Sequence, residues 1–311
     1  MKKNVFTLAI SGLVLLFASC SNEDNNTPIN PEKLTKMVST NYNTAANPYT
    51  PIDSTTYFMD TEERIESTER RWTNNSNITT SNYTYNNGKL AQIDAFQNGN
   101  YTSKSTFVYN NDDLVEYKIE GINTPNITKH TFTVSQDTIY SNWQRSTNSG
   151  ASYNTILSSK IVLVNGDRTF YESFDPINNN KDRIITVFDA NHNPISESHY
   201  TYSQSFGWTL SLTNTLTYSP LKSPFYKTLE STYSRRTLGL LQHLSSAAIN
   251  YIYIRNLAPN CVASYVTDFG GSGTVNFEIT NIAFNSDYAK RSVINCTSGP
   301  ITTSLGFNYY F

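Results

Sequence analysis

The whole imidazole complement of this 311-residue chain is four histidines: His130, His192, His199 and His243. None stands in an HExxH, GxSxG, P-loop or GxGxxG spacing, the local arrangements that position ligands, nucleophiles and phosphates. Gly270-Gly271-Ser272-Gly273 lacks the flanking spacing of a nucleophile elbow and reads as a turn. A Ser-His-Asp set could assemble only from distant positions. Asp189-Ala190-Asn191-His192-Asn193 sets oxygen side chains at alternate positions, as the opening of a calcium loop does. Its sixth position is Pro194 rather than Gly and its twelfth Tyr200 rather than Glu, which favours a hairpin turn with Asx hydrogen bonds. Asn110-Asn111-Asp112-Asp113 reads as a solvated turn for the same reason. Asp60, Glu62 and Glu63 come nearest to the carboxylate pair of glycoside hydrolysis, and they too sit in a turn. No catalytic residue, metal site or cofactor is expected.

Stacking on a ligand is a chemistry the chain can offer. Trp72, Trp143 and Trp208, with Tyr85 and Tyr109, are the candidate platforms for sugar rings or peptide side chains. Core or cross-strand packing is their plainer role.

A repeat positions these residues. An aromatic ends one strand, a polar turn follows, and an apolar residue opens the next. Phe58 to Ile65, Tyr85 to Leu90, Tyr109 to Leu114, Val164 to Arg168, Phe188 to Ile195 and Tyr218 to Phe225 are its copies. The Phe58, Phe188 and Tyr218 copies share one spacing, the Tyr85 and Tyr109 copies a shorter one. A period of about 24–30 residues suits one hairpin of two strands. Asn87-Gly88 and Asn165-Gly166 supply the positive φ that tight hairpin turns need. Tyr85 and Tyr109 are therefore predicted on one face, with their two turns on one edge. Leu238 to Ile249 lacks strand alternation and predicts a short helix. The terminal Phe307-Asn308-Tyr309-Tyr310-Phe311 can close a sheet. A membrane barrel is set aside, because strands so rich in Asn and Thr lack an outward apolar band. The predicted fold is mainly β: an up-and-down antiparallel meander over residues 51–311, forming a curled open sheet or half-barrel with one short helix.

These turns resemble diluted YD repeats of the RHS class. The order of Tyr218, Ser223-Pro224-Phe225 and the Leu- and Ser-rich stretch after them resembles Bacteroidetes lipoproteins with a DUF4595-type domain. Ser219 and Ser223 depart from the Asp and Asn usual there. The resemblance implies a curled antiparallel sheet and no known activity.

At the N-terminus, Lys2 and Lys3 precede an apolar run, Val5 to Phe17, too short to span a bilayer. Leu16-Phe17-Ala18-Ser19-Cys20 resembles the lipobox of bacterial lipoproteins. That resemblance implies a signal peptide over 1–19, cleavage before Cys20, and acyl chains that hold the protein at the outer membrane. Ser21-Asn22-Glu23-Asp24 resembles the acidic export signal of surface lipoproteins; a periplasm-facing anchor is the alternative. Residues 20–50, poor in apolar side chains, are predicted to form a flexible tether. With Cys20 lipidated, Cys261 and Cys296 remain as an even pair in an oxidising compartment, predicting a disulfide. Two buried thiols are the alternative, and zinc is disfavoured without a CxxC or a nearby histidine.

Composition narrows the function. Charged residues make up 15% of the chain, 23 basic against 25 acidic, with no basic stripe, so nucleic acid is not a predicted partner. The first functional reading is a non-catalytic outer-membrane or cell-surface lipoprotein that binds a glycan or peptide. The second is a structural or assembly component of an outer-membrane complex, and the third a hydrolase.

Overall fold

Left-handed residues punctuate the chain at regular intervals and set its architecture. Asn87 and Gly88, Asn98 and Gly99, and Asn165 and Gly166 each occupy consecutive positive-φ positions, the geometry that reverses a twisted strand in two residues. The computed structural model describes residues 33–43, 50–242, 258–283, 289–296 and 303–311. All of them lie in one unit, Glu32–Phe311.

Eighteen strands alternate with these turns. They are β1 (Lys36–Asn43), β2 (Thr50–Met59), β3 (Ile65–Trp72), β4 (Ile78–Asn86), β5 (Lys89–Gln97), β6 (Asn100–Asn110), β7 (Asp113–Gly121), β8 (Ile127–Ser135) and β9 (Thr138–Ser146). There follow β10 (Asn154–Val164), β11 (Asp167–Asp175), β12 (Asn180–Phe188), β13 (Pro194–Ser203), β14 (Gly207–Lys222), β15 (Asn260–Asp268), β16 (Thr274–Ala283), β17 (Ala289–Cys296) and β18 (Thr303–Tyr310). Each pairs antiparallel with the next in sequence. β18 returns to β1, Asn308 opposite Val38, and closes the cylinder.

Closure corrects the predicted open sheet or half-barrel. The closing strand, β1, comes from the segment expected to be tether. Its Asn- and Thr-rich composition looked too polar to fold, yet that is the composition of the barrel strands in general. Met37 and Ser39 are buried on its inner face, and its backbone is paired on both sides, which satisfies the polar groups an edge would leave open.

Two helices, rather than one, follow β14: α1 (Pro224–Tyr233) and α2 (Arg235–Leu241). The stretch from Tyr218 to Phe225 is thus a strand-to-helix junction and not another hairpin. Ser223 caps α1 by accepting from the Tyr226 N–H, and Pro224 opens the helix. The predicted helix over 238–249 begins earlier, and residues 243–249 lie outside the described ones. Ser234 separates the helices at φ 61, and its Oγ accepts from the Thr237 N–H.

Both helices plug one end of the barrel. Phe225, Leu229 and Tyr233, four residues apart, make one apolar stripe, continued by Leu238, Leu240 and Leu241. They pack on Tyr57, Ile65, Leu90, Phe107, Leu114, Ile139 and Leu163 of the wall. Ion pairs fasten the rim of the plug: Lys227 to Glu63 at 2.7 Å, Arg236 to Asp113 at 2.5 Å and Arg235 to Asp167 at 2.7 Å. Gly239 lets α2 touch the β10–β11 turn, since a Cβ there would lie 3.0 Å from the Gly166 carbonyl.

The outer face mixes charges with exposed apolar side chains, among them Val108, Tyr140, Val187 and Leu210. Lys118 stands between buried Tyr117 and core-packed Ile119; Lys160 between buried Ser159 and Ile161; Glu278 between core-packed Phe277 and Ile279. Alternation turns each of these charges outward at mid-strand. On the same face Arg183 pairs with Glu172 at 2.6 Å. A lysine or arginine facing lipid at mid-bilayer costs about 2–4 kcal/mol, so these charged positions are unfavourable for contact with hydrocarbon.

The tight turns carry a direct test. Gly88 has φ 76 and open space where a Cβ would go. Gly88→Ala is expected to cost about 1–2 kcal/mol of stability from backbone strain alone. Urea denaturation of the two proteins measures it.

Candidate functional site

Hairpins at the plugged end share a position just past their turns. Ile65 lies opposite Met59, Leu90 opposite Tyr85, Leu114 opposite Tyr109 and Ile139 opposite Val134. All four are buried under the plug. In the β10–β11 hairpin the same position, opposite Leu163, holds Arg168. Its side chain is 1% exposed, and its Nη2 lies 3.2 Å from Oε2 of Glu197, itself 4% exposed.

Glu197 starts a polar network along the lumen wall. Its Oε1 accepts from His199 Nε2 at 2.6 Å and from Asn214 Nδ2 at 3.3 Å. Asn214 Oδ1 in turn accepts from the Tyr265 hydroxyl and the Thr267 hydroxyl, both at 2.9 Å. Burial pulls the Arg168 pKa down to about 10, opposed by the Glu197 charge, so the guanidinium stays protonated at neutral pH. Burial alone would raise Glu197; the His199 hydrogen bond and Arg168 outweigh it and hold the carboxyl below its usual range. The network spans β11, β13, β14 and β15. Along β13 exposure rises from buried Glu197 through half-buried His199 to exposed Thr201, away from the plug and toward the far rim.

A second wall, on β7 to β9, is aromatic. Tyr117, His130 and Trp143 stack with centroid spacings of 5.8 and 5.7 Å. Burial pulls the His130 pKa down to about 4, keeping the ring neutral. A histidine depressed in the fold stabilises it above the unfolded value of about 6.5, and that stabilisation is lost as pH falls toward 4. The loss is expected to reach roughly 3 kcal/mol. His130→Gln should flatten the fall in urea-denaturation stability between pH 7 and pH 4.

The predicted aromatics do not converge. Trp143 belongs to the inner stack. Trp72 faces inward on β3, with the Arg70 guanidinium 4.5 Å from its ring. Tyr85 and Tyr109 share the inner face, as expected, and pack against the core under the plug; Tyr85 donates to the Ile65 carbonyl at 2.7 Å. Trp208 is on the outside, stacked by Arg183 at 4.0 Å and edged by Tyr202 at 5.4 Å. The Asp189 loop is a closed Asx turn. Its carboxylate accepts from the Asn191 and Asn193 N–H groups and from Asn193 Nδ2. Asp60 makes the same turn with Glu62 and Arg64. Among the described residues no cluster of three or more metal-binding side chains occurs.

Cys261 is a free, buried thiol that donates to the Lys222 carbonyl at 3.3 Å, with its pKa pushed up to about 12 by burial. The expected bond to Cys296 is not made at this residue. β16 separates their strands, and Cys296 lies opposite Phe277, four residues along β17 from Ser292. Ser292 is the β17 residue beside the Cys261 thiol. Two strand spacings alone exceed the roughly 7 Å Cα limit for a disulfide. The Cys296 side chain, Cys20 and the whole signal segment lie outside the described residues.

Sequence reasoning missed Arg168, Glu197, His199 and Asn214. One signal existed: the Val164 to Arg168 copy of the repeat ends in a charge where its sister copies end in Leu, Ile or Phe.

No family model matches the chain, the DUF4595 and YD classes included, and no curated protein does. Among solved structures it is similar to a porin-like protein from Bacteroides uniformis, 13% identical with a TM-score of 0.42, over 89% of this chain and 96% of that one. A porin-like protein from Bacteroides vulgatus is 10% identical with a TM-score of 0.35, over 89% and 98%. Likeness at these scores carries no inference about this chain.

Proposed function

We propose that this chain is a lipid-anchored, water-facing barrel at the outer membrane whose lumen binds a glycan or peptide and performs no chemistry. The observation that carries the reading is the division of the lumen. One end is filled by an apolar plug, while the β11 to β15 wall carries a polar network toward the other rim. Such a vessel binds rather than conducts. Convergent polar groups beside an aromatic wall are the usual makings of a ligand site. The anchor rests on Cys20 and the residues before it.

A structural or assembly role is the second reading. Tyr140, Ile177, Phe206 and Leu210, on or beside β9 to β14, expose half or more of their surface, and an exposed apolar face suits a protein partner. Hydrolysis is weaker. Glu197 and His199 form a carboxylate–imidazole pair, but among the described residues no Ser, Thr or Cys side chain is hydrogen-bonded to the His199 ring.

A glycan and peptide array probed with the Cys20→Ser chain tests the first reading. Binding that Trp143→Ala weakens supports it. Array silence, together with capture of one outer-membrane protein that a Phe206→Ser change abolishes, would favour the second.

A further inference from the structure

Arg168 leaves two donors unexplained. Its Nη2 faces Glu197, but its Nε and Nη1, both buried, have no hydrogen-bond partner among the described residues. A third buried polar atom in the same state is Thr186 Oγ1. Thr186 is opposite Glu197 in the β12–β13 register, and β12 lies between the strands of Arg168 and Glu197. The Arg168–Glu197 bond therefore crosses the sheet at Thr186, and the three atoms share one place in the wall.

Chemistry restricts what belongs there. A guanidinium has donors and no acceptor, so its missing partner must accept. A buried donor left unpaired costs about 1–3 kcal/mol, more when charged. An ion pair set into a position that four other hairpins fill with Leu or Ile adds little stability over the apolar choice. Arginine in such a place suits recognition of a planar oxyanion. Access runs along the wall, where exposure rises from Glu197 through His199 to Thr201.

We propose that Arg168, with Thr186 and His199 beside it, forms an oxyanion subsite at the base of the lumen. It takes a carboxylate, either a free small acid or the acidic end of a longer glycan or peptide. The subsite deepens the ligand-binding reading given above and rests on it for the larger ligand only.

The test is an acetate titration of the full chain, read at the Arg168 Nε resonance, with acetamide as the uncharged control and digalacturonate as the longer acid. Acetate should shift the resonance saturably, and acetamide should not. Arg168→Leu/Glu197→Gln removes both charges and installs the residue type of the sister hairpins, so it should fold and lose protection by acetate against thermal unfolding. Tighter binding of digalacturonate than of acetate assigns the site to a longer ligand; equal binding assigns it to a free acid. An unmoved Nε resonance, an equal response to acetamide, or water alone at Nε and Nη1 in crystals grown with acetate would overturn the proposal. An acetate response with a silent array keeps this subsite and removes the broader reading. Array binding that the double variant leaves intact, with no acetate response, does the reverse.

Discussion

Glu197→Ala is expected to destabilise the barrel by about 3–5 kcal/mol, the cost of leaving a buried charge without its partner. Arg168 is buried, its side chain 1% exposed, and Glu197 is the carboxylate that pairs with it. Truncation also strips His199 and Asn214 of their acceptor. Arg168→Leu/Glu197→Gln should lose far less, because it removes both charges and keeps an amide for His199 and Asn214. Urea denaturation at pH 7 measures both. A single variant no less stable than the double one would mean that the pair is not buried as described.

Phe225→Ala is expected to cost about 3–5 kcal/mol, the range for deleting a buried aromatic ring. The ring lies edge-on to Tyr57 at 5.5 Å and against Phe307 at 6.0 Å. Those partners stand on β2 and β18, the two neighbours of β1. One side chain of the plug thus braces the seam where the first and last strands meet. The variant should therefore speed hydrogen exchange in β1 and β18 more than in β11 and β12. Uniform acceleration around the barrel would contradict that role.

The hairpins were legible because their turns depend on local chemistry. An Asn-Gly pair needs no distant partner to bend a chain, and the inner alternation of Tyr85 and Tyr109 follows from the pleat. Closure was legible only on one side: the aromatic C-terminal strand read as able to close a sheet, but its partner did not. It depends on pairing between residues near the two ends of the sequence, and no local feature of Lys36–Asn43 names β18 as its neighbour. The Tyr218 copy misled for a related reason. Its aromatic-to-apolar spacing matches a hairpin, but Ser223-Pro224 is a helix-opening signal, and the helix prevails. The disulfide inference counted cysteines and could not see the strand between them. The candidate site escaped because its parts are scattered: Arg168, Glu197, His199 and Asn214 sit on three strands and become neighbours only in the folded wall.

The central claim is that water lies outside this barrel and the working surface lies within. Sedimentation velocity of the Cys20→Ser chain in detergent-free buffer, compared with the same chain in detergent, tests it most directly. A monodisperse, β-rich species of unchanged frictional ratio in both buffers is the predicted result. Aggregation that only detergent relieves, with single-channel conductance on addition to a planar bilayer, would contradict the account.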